Sequence, residues 1–232
     1  VGSEMCIRDS MYIYGGMAQY IPNPAEPFQF PARWMIWLIS LLFFMSSYAY
    51  KDMQTFGVQI LTRSGSRRLW WLSKTLWCFF GTLLFHTVLW VTVCIACLVT
   101  KADLSLVLHA DIICKLFQTF STGTAIGEIQ ISLLALLLPV VVSFSLCLCQ
   151  MTLSLFIKPT LSFLTMAVIA ILSVYLFSPA LLCNYAMPIR TELFMSNGVN
   201  VDTGYIYAVS FDFFLILLGA IIFRSYDLIN RD

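Results

Sequence analysis

The long uncharged apolar windows decide what this chain can fold into. Residues 131 to 157, "ISLLALLLPVVVSFSLCLCQMTLSLFI", contain no Asp, Glu, Lys or Arg. A helix needs about 20 such residues to cross ~30 Å of hydrocarbon. Four further windows qualify: about Trp34 to Tyr50, about Thr75 to Thr100, about Thr160 to Leu182, and about Gly204 to Phe223. Only 11% of the 232 residues are charged and 60% are hydrophobic. The mean hydropathy is +0.87. Soluble domains carry roughly a quarter charged residues and need polar helix faces. The expectation is therefore an all-α fold, a polytopic transmembrane helical bundle of about five spans. It forms one transmembrane domain, 34–232, preceded by an external segment, 11–33.

Lys and Arg, retained on the cytoplasmic side of membranes, orient the bundle. Lys51, Arg63, Arg67, Arg68, Lys74, Lys158, Arg224 and Arg231 fall on one side; Arg33, Lys101, Lys115 and Arg190 fall on the other. Eight against four predicts a multi-pass cell-membrane protein with loop 51–74 and the C-terminus in the cytoplasm. Five spans then put the start of the chain outside, and an upstream helix would make six with both ends inside.

Loop 51–74 is longer than a turn and has internal order. Met53, Phe56, Ile60 and Leu61 recur at helical spacing, with Asp52, Gln54, Thr55, Gln59 and Arg63 on other faces. That pattern predicts a short amphipathic helix, ended by Gly65 between serines. Arg67, Arg68, Trp70, Trp71 and Lys74 lead into the second span. Tryptophans favour the headgroup level and cations reach anionic groups, so Trp70, Trp71 and Lys74 are expected to be interface anchors.

"GVQILTRSGSRRLWWLSKTLW", "LCQMTLSLFIKP", "LFSPALLCNYAMPIR" and "FRSYDLINRD" resemble the permease subunits of bacterial ABC-2-type transporters, and within them a group from Gram-positive gut bacteria. The resemblance runs from about Pro31 to the C-terminus. It implies six helices per subunit, a dimer of transmembrane domains, and a separate ABC ATPase acting on the cytoplasmic loop between the second and third helices. With one helix missing, that loop is 51–74. Phe56, Ile60 and Leu61 would be its apolar contacts and Arg63, Arg67 and Arg68 its docking charges. The first ten residues, "VGSEMCIRDS", resemble a translated sequencing-adapter fragment and are set aside, which implies an N-terminally truncated chain.

No ATPase is expected on the chain itself, because G-x-x-x-x-G-K-[ST] is absent and "GSRRLWWLSK" lacks its second Gly and its closing Ser or Thr. Neither a cofactor nor a nucleic-acid partner is expected. Cys94 and Cys97 have C-x-x-C spacing within an apolar helix lacking an adjacent His or acid, and Cys147 and Cys149 diverge, so the cysteines read as small packing residues. A disulfide would have to join external thiols such as Cys114 and Cys183. His86, near mid-span, reads as a hydrogen-bonded packing residue. Asp212 either faces protein or a cavity inside the fifth span, where a carboxylate costs ~2.5–3.5 kcal/mol, or lies near the headgroups if that span starts later. Residues 101–130 read as a helix on the external interface. Segment 179–203 reads as a loop with Pro188 and the turn-forming "SNGVN". Pro139 predicts a kink and Lys158-Pro159 a sharp turn.

The leading expectation is a permease subunit, exporting by alternating exposure and doing no covalent chemistry. An intramembrane enzyme would need several polar catalytic residues at depth, and the first four spans offer only His86 and Gln150. The alternative is a non-transporting membrane protein, such as an immunity or sensor subunit, which would need no ATPase.

Overall fold

The computed structural model describes residues 11, 13–20, 30–54, 57, 59, 66–99, 128–195 and 197–224. Phe56, Ile60, Leu61 and Arg63 lie outside the described residues, as does the expected interfacial helix at 101–130 except for 128–130, which open the helix Glu128–Leu153. The fold is all-α: α1 (Ala32–Ser46), α2 (Tyr48–Gln54), α3 (Arg67–Val99), α4 (Glu128–Leu153), α5 (Pro159–Tyr175), α6 (Leu182–Tyr185), a 3₁₀ turn (Pro188–Arg190) and α7 (Val201–Arg224). Four stretches are long and apolar enough to cross a membrane: Ala32–Asp52, Arg67–Val99, Ile131–Leu153 and Val201–Arg224. The first combines α1 and α2 across a turn at Ser47. The apolar α5 is shorter.

The central helix is α4, packed against α1, α3, α5, α6 and α7. Of its apolar window 61% is buried, against 22% for α3 and 28% for α7, whose outer faces are broad and apolar. Leu76, Phe80 and Leu84 on α3 and Phe213, Leu217 and Ile221 on α7 are all exposed. Such faces are stable only against lipid or another apolar protein surface, so the described helices form a membrane bundle.

Lipid gives no hydrophobic drive for helix association, so contact depends on small residues and buried polar bonds. Ala135, Ser143, Ala167 and Ala170 are buried. A Cβ on Gly219 would overlap the Trp71 ring, and one on Gly81 would overlap the end of Met45. Ser40 and Ser46, also small, bond back to carbonyls of their own helix instead. Gln150 joins three helices: its Nε2 donates to Leu42 O at 3.0 Å, and its backbone carbonyl accepts from Ser162 Oγ at 2.7 Å. The helix continues through Pro139, whose carbonyl accepts from Ser143 Oγ.

Two boundaries differ from the hydropathy windows, each because a polar side chain has a partner. Helix α3 begins at Arg67, not Thr75, because Lys74 is ion-paired inside the bundle rather than left in a loop. Helix α5 ends at Tyr175, not Leu182, because Arg190 and Asn184 take its last carbonyls. Pro159 opens α5 at a position where its missing N–H costs nothing. The helices alternate in direction, so Asp52, Arg67, Lys74, Lys158 and Arg224 gather at one end, the basic end. Segment 176–200 closes the opposite, capped end. There Thr191 and Val199 form a bridge, and Asn200 Oδ1 accepts from Thr203 N at 2.9 Å to cap α7.

Gly219→Val should destabilise the bundle by about 1–3 kcal/mol through overpacking against Trp71. Thermal unfolding in detergent would show this as a lowered midpoint. A midpoint equal to wild type would mean that α3 and α7 do not meet through this ring.

Candidate functional site

At the basic end, α2 and α3 are latched together. Lys74 Nζ lies 2.7 Å from Asp52 Oδ2. Trp70 Nε1 donates to the same oxygen at 3.2 Å, and Lys74 donates to Tyr48 Oη at 3.2 Å. The ammonium also sits 4.8 Å from the Tyr48 ring centre and 5.3 Å from that of Trp70. Tyr48 in turn stacks on Trp77 at 5.0 Å. With Lys74 only 7% exposed, the pair escapes much of the screening that makes surface salt bridges weak. The acid four residues into α2 is thereby fixed to the first turns of α3.

A second set of bonds carries α3 onto α7. Trp71 Nε1 donates to Ile216 O at 3.0 Å, and Arg67 donates to Arg224 O at 3.1 Å. Trp70 stacks on Phe223 with centroids 4.5 Å apart. Arg68 is exposed beside them. Trp70 and Trp71, expected as headgroup anchors, are 4% and 1% exposed. Each indole N–H finds its acceptor inside the protein, so the rings join helices rather than lipid. Lys74 is likewise an interhelical cation. The basic residues Arg67 and Arg68 of the predicted coupling set are therefore mounted on the same rigid turn as the latch.

The two polar residues singled out at depth are both on buried faces. His86, 1% exposed, lies near the middle of α3 with Nδ1 2.9 Å from Thr82 O. A carbonyl only accepts, so Nδ1 carries the hydrogen and Nε2 faces the interior without a bonding partner. The Trp37 and Trp90 rings stand edge-on at 5.3 Å and 6.1 Å, and their indole N–H groups are also unpartnered. Asp212 lies midway along α7 on the face that buries Gly204, Ala208, Leu215 and Gly219. It is 7% exposed and its Oδ1 has no partner.

At the capped end the largest polar feature is Arg190, wholly buried. Its Nε donates to Met17 O at 3.0 Å; Nη1 donates to Ser173 O at 2.6 Å and to Asn184 Oδ1; Nη2 donates to Val174 O at 2.6 Å and to Ala18 O at 3.4 Å. Burial moves the guanidinium down to about 10, which leaves it charged at neutral pH. Asn184 Nδ2 adds bonds to Leu176 O at 3.0 Å and Ser178 O at 2.8 Å. Trp34 Nε1 donates to Ala186 O at 3.1 Å, tying α1 to the cap. The segment read as a loop is thus a packed plug. A cleft of about 260 Å³ beside it, lined by Phe30, Arg33 and Trp34, falls below the ~300 Å³ floor of small-molecule sites.

Among the described residues no group of acids, histidines and cysteines could hold a metal ion. Among the described residues Cys78, Cys94, Cys97, Cys147, Cys149 and Cys183 are not joined in disulfides. Burial pushes the Cys183 thiol up to about 12, so it stays protonated, and Cys114 lies outside the described residues. Compared with family models, curated proteins and solved structures, the chain matches none.

The structural roles of Asp52, Gln150, Asn184 and Arg190 were not apparent from composition or spacing. The available signal was one of scarcity: in a chain this apolar, each such residue must find a partner on folding.

Two outcomes test the pinned ends. The Asp52→Asn and Lys74→Met double-mutant cycle should show a coupling energy of about 0.5–3 kcal/mol in thermal unfolding; additive effects would mean that the pair carries no net interaction. Arg190→Met should cost about 3 kcal/mol or more, because several buried carbonyls lose their donors together. Arg190→Lys should recover only part of it, since an ammonium lacks the planar fork. Full recovery by Lys would show that charge alone is needed.

Proposed function

We propose that the chain is a membrane-spanning permease subunit of an ATP-driven, ABC-2-type transporter, working in export. A separate ABC ATPase acts on segment 51–74, and a second permease subunit completes the path, as a homo- or heterodimer. The single observation that carries this reading is the latch of Asp52 to Lys74 and Trp70. A push on the segment between α2 and α3 need not dissipate in a loose loop. It reaches α3 through the ion pair and α7 through Trp71 and Ile216. Both helices carry the exposed apolar faces through which a second subunit would be met.

In this reading the basic end is cytoplasmic, where Lys and Arg are retained, and the protein is a multi-pass component of the cell membrane. The work is mechanical, an alternation between two packings of α3 and α7 around α4. The chain supplies no nucleotide site and no covalent step. Phe56, Ile60 and Leu61 would meet the ATPase, with Arg63, Arg67 and Arg68 beside them.

The test is the Phe56→Ala/Leu61→Ala double variant in vesicles with the ATPase bound. Expected is a loss of transport per ATP hydrolysed of about tenfold, equivalent to 1.4 kcal/mol of lost coupling, with membrane insertion unchanged. Unchanged coupled transport would remove the coupling assignment. An absence of any ATPase that co-purifies through segment 51–74 would favour the sensor or immunity reading.

A further inference from the structure

The α3–α4–α7 contact encloses an acid with no counter-charge. Asp212 comes from α7, Cys78 and Thr82 from α3, and Ser145 and Cys147 from α4. The Asp212 carboxyl contacts Ser145 and lies within electrostatic reach of Cys78, which itself meets Cys147 and Thr82. Oδ1 has no bonding partner although the residue is 93% buried, being 7% exposed. No ion pair to it occurs among the described residues. Lys74, one turn before Cys78, is committed to Asp52. From α6, the remaining element against α7, Tyr185 meets Gly204, two turns away. The two hydroxyls are also committed: Ser145 Oγ donates to Val141 O at 3.1 Å and Thr82 Oγ1 donates to Cys78 O at 2.9 Å.

An ionised carboxylate needs donors, and an unpaired buried one costs several kcal/mol. A neutral carboxylic acid avoids that cost. We propose that Asp212 is an intramembrane proton-binding site: the carboxyl is held as a neutral acid within the α3–α4–α7 contact. When α7 separates from α4 and water enters, the O–H bond breaks, water takes the proton as hydronium, and a carboxylate remains. Closure reverses the step. The ligand is a proton, no oxidant or co-reactant is needed, and the inference stands independently of the transport reading.

The test uses the full chain in lipid nanodiscs at neutral pH, with carboxyl-¹³C aspartate. Infrared spectra should show the carbonyl stretch of a protonated acid, absent in Asp212→Asn. Dicyclohexylcarbodiimide, an apolar reagent selective for protonated carboxyls, should label Asp212 about tenfold or more above the ion-paired Asp52, since each pH unit of titration changes the protonated fraction tenfold. A carboxylate signal throughout, with labelling of Asp212 no higher than that of Asp52, would overturn the proposal. Should Asp212→Asn fail to fold, wild-type labelling decides alone: it must fall as the pH is raised, and labelling independent of pH counts against the site.

Discussion

A guanidinium buried without a carboxylate organises the capped end of this molecule. Among the described residues Arg190 has only neutral acceptors, the carbonyls of Met17, Ala18, Ser173 and Val174 and the amide oxygen of Asn184. Two of those carbonyls end α5, where the helix dipole places partial negative charge and the backbone has no further N–H to offer. The cation and the helix end therefore satisfy each other. This exchange explains why an apolar run that continues to Leu182 stops being helix at Tyr175. It also brings three distant pieces of chain together: residues 17–18, the last turn of α5, and the α6 turn containing Asn184. Backbone left bare in hydrocarbon would cost several kcal/mol per group, so the irregular cap can exist only while the arginine is in place.

The opposite end meets the same constraint with charges of both signs. Asp52 gives Lys74 a full counter-ion, and the rings of Tyr48 and Trp70 cover the pair. One end is thus a neutral network centred on a cation and the other a shielded ion pair. Beside the ion pair the helices are also held by close approach, as where Trp71 fits over Gly219, and by single amide bonds such as Gln150 to Leu42.

The class of fold was legible from the windows at 34–50, 75–100, 131–157, 160–182 and 204–223, because the near-absence of charge over some twenty residues, with Asp212 the one exception, is a local property. The boundaries were less so. Hydropathy treats Lys74 as an exit from the membrane, whereas its partner is Asp52, 22 positions earlier, and no window joins the two. Trp70 and Trp71 look like headgroup anchors by residue type, yet their N–H groups are satisfied by Asp52 and Ile216, contacts that exist only after folding. The helical spacing of Met53, Phe56, Ile60 and Leu61 falls mostly outside the described residues, where α2 is described over Tyr48–Gln54. Arg190 was visible as one cation in a loop, and nothing local indicated that the loop would wrap around it.

Spacing held one further signal, on α3. Lys74, Cys78, Thr82 and His86 recur every four residues, so they share a face, and all are buried. Each residue solves the burial problem differently: Lys74 by an ion pair, Thr82 by bonding back to Cys78 O, and His86 by using Thr82 O for one nitrogen. Two atoms against this line have no partner, Nε2 of His86 and Oδ1 of Asp212 across from Cys78. The indole N–H groups of Trp37 and Trp90 beside His86, and Oε1 of Gln150, are open as well, so in an interior this apolar not every buried polar atom finds a partner.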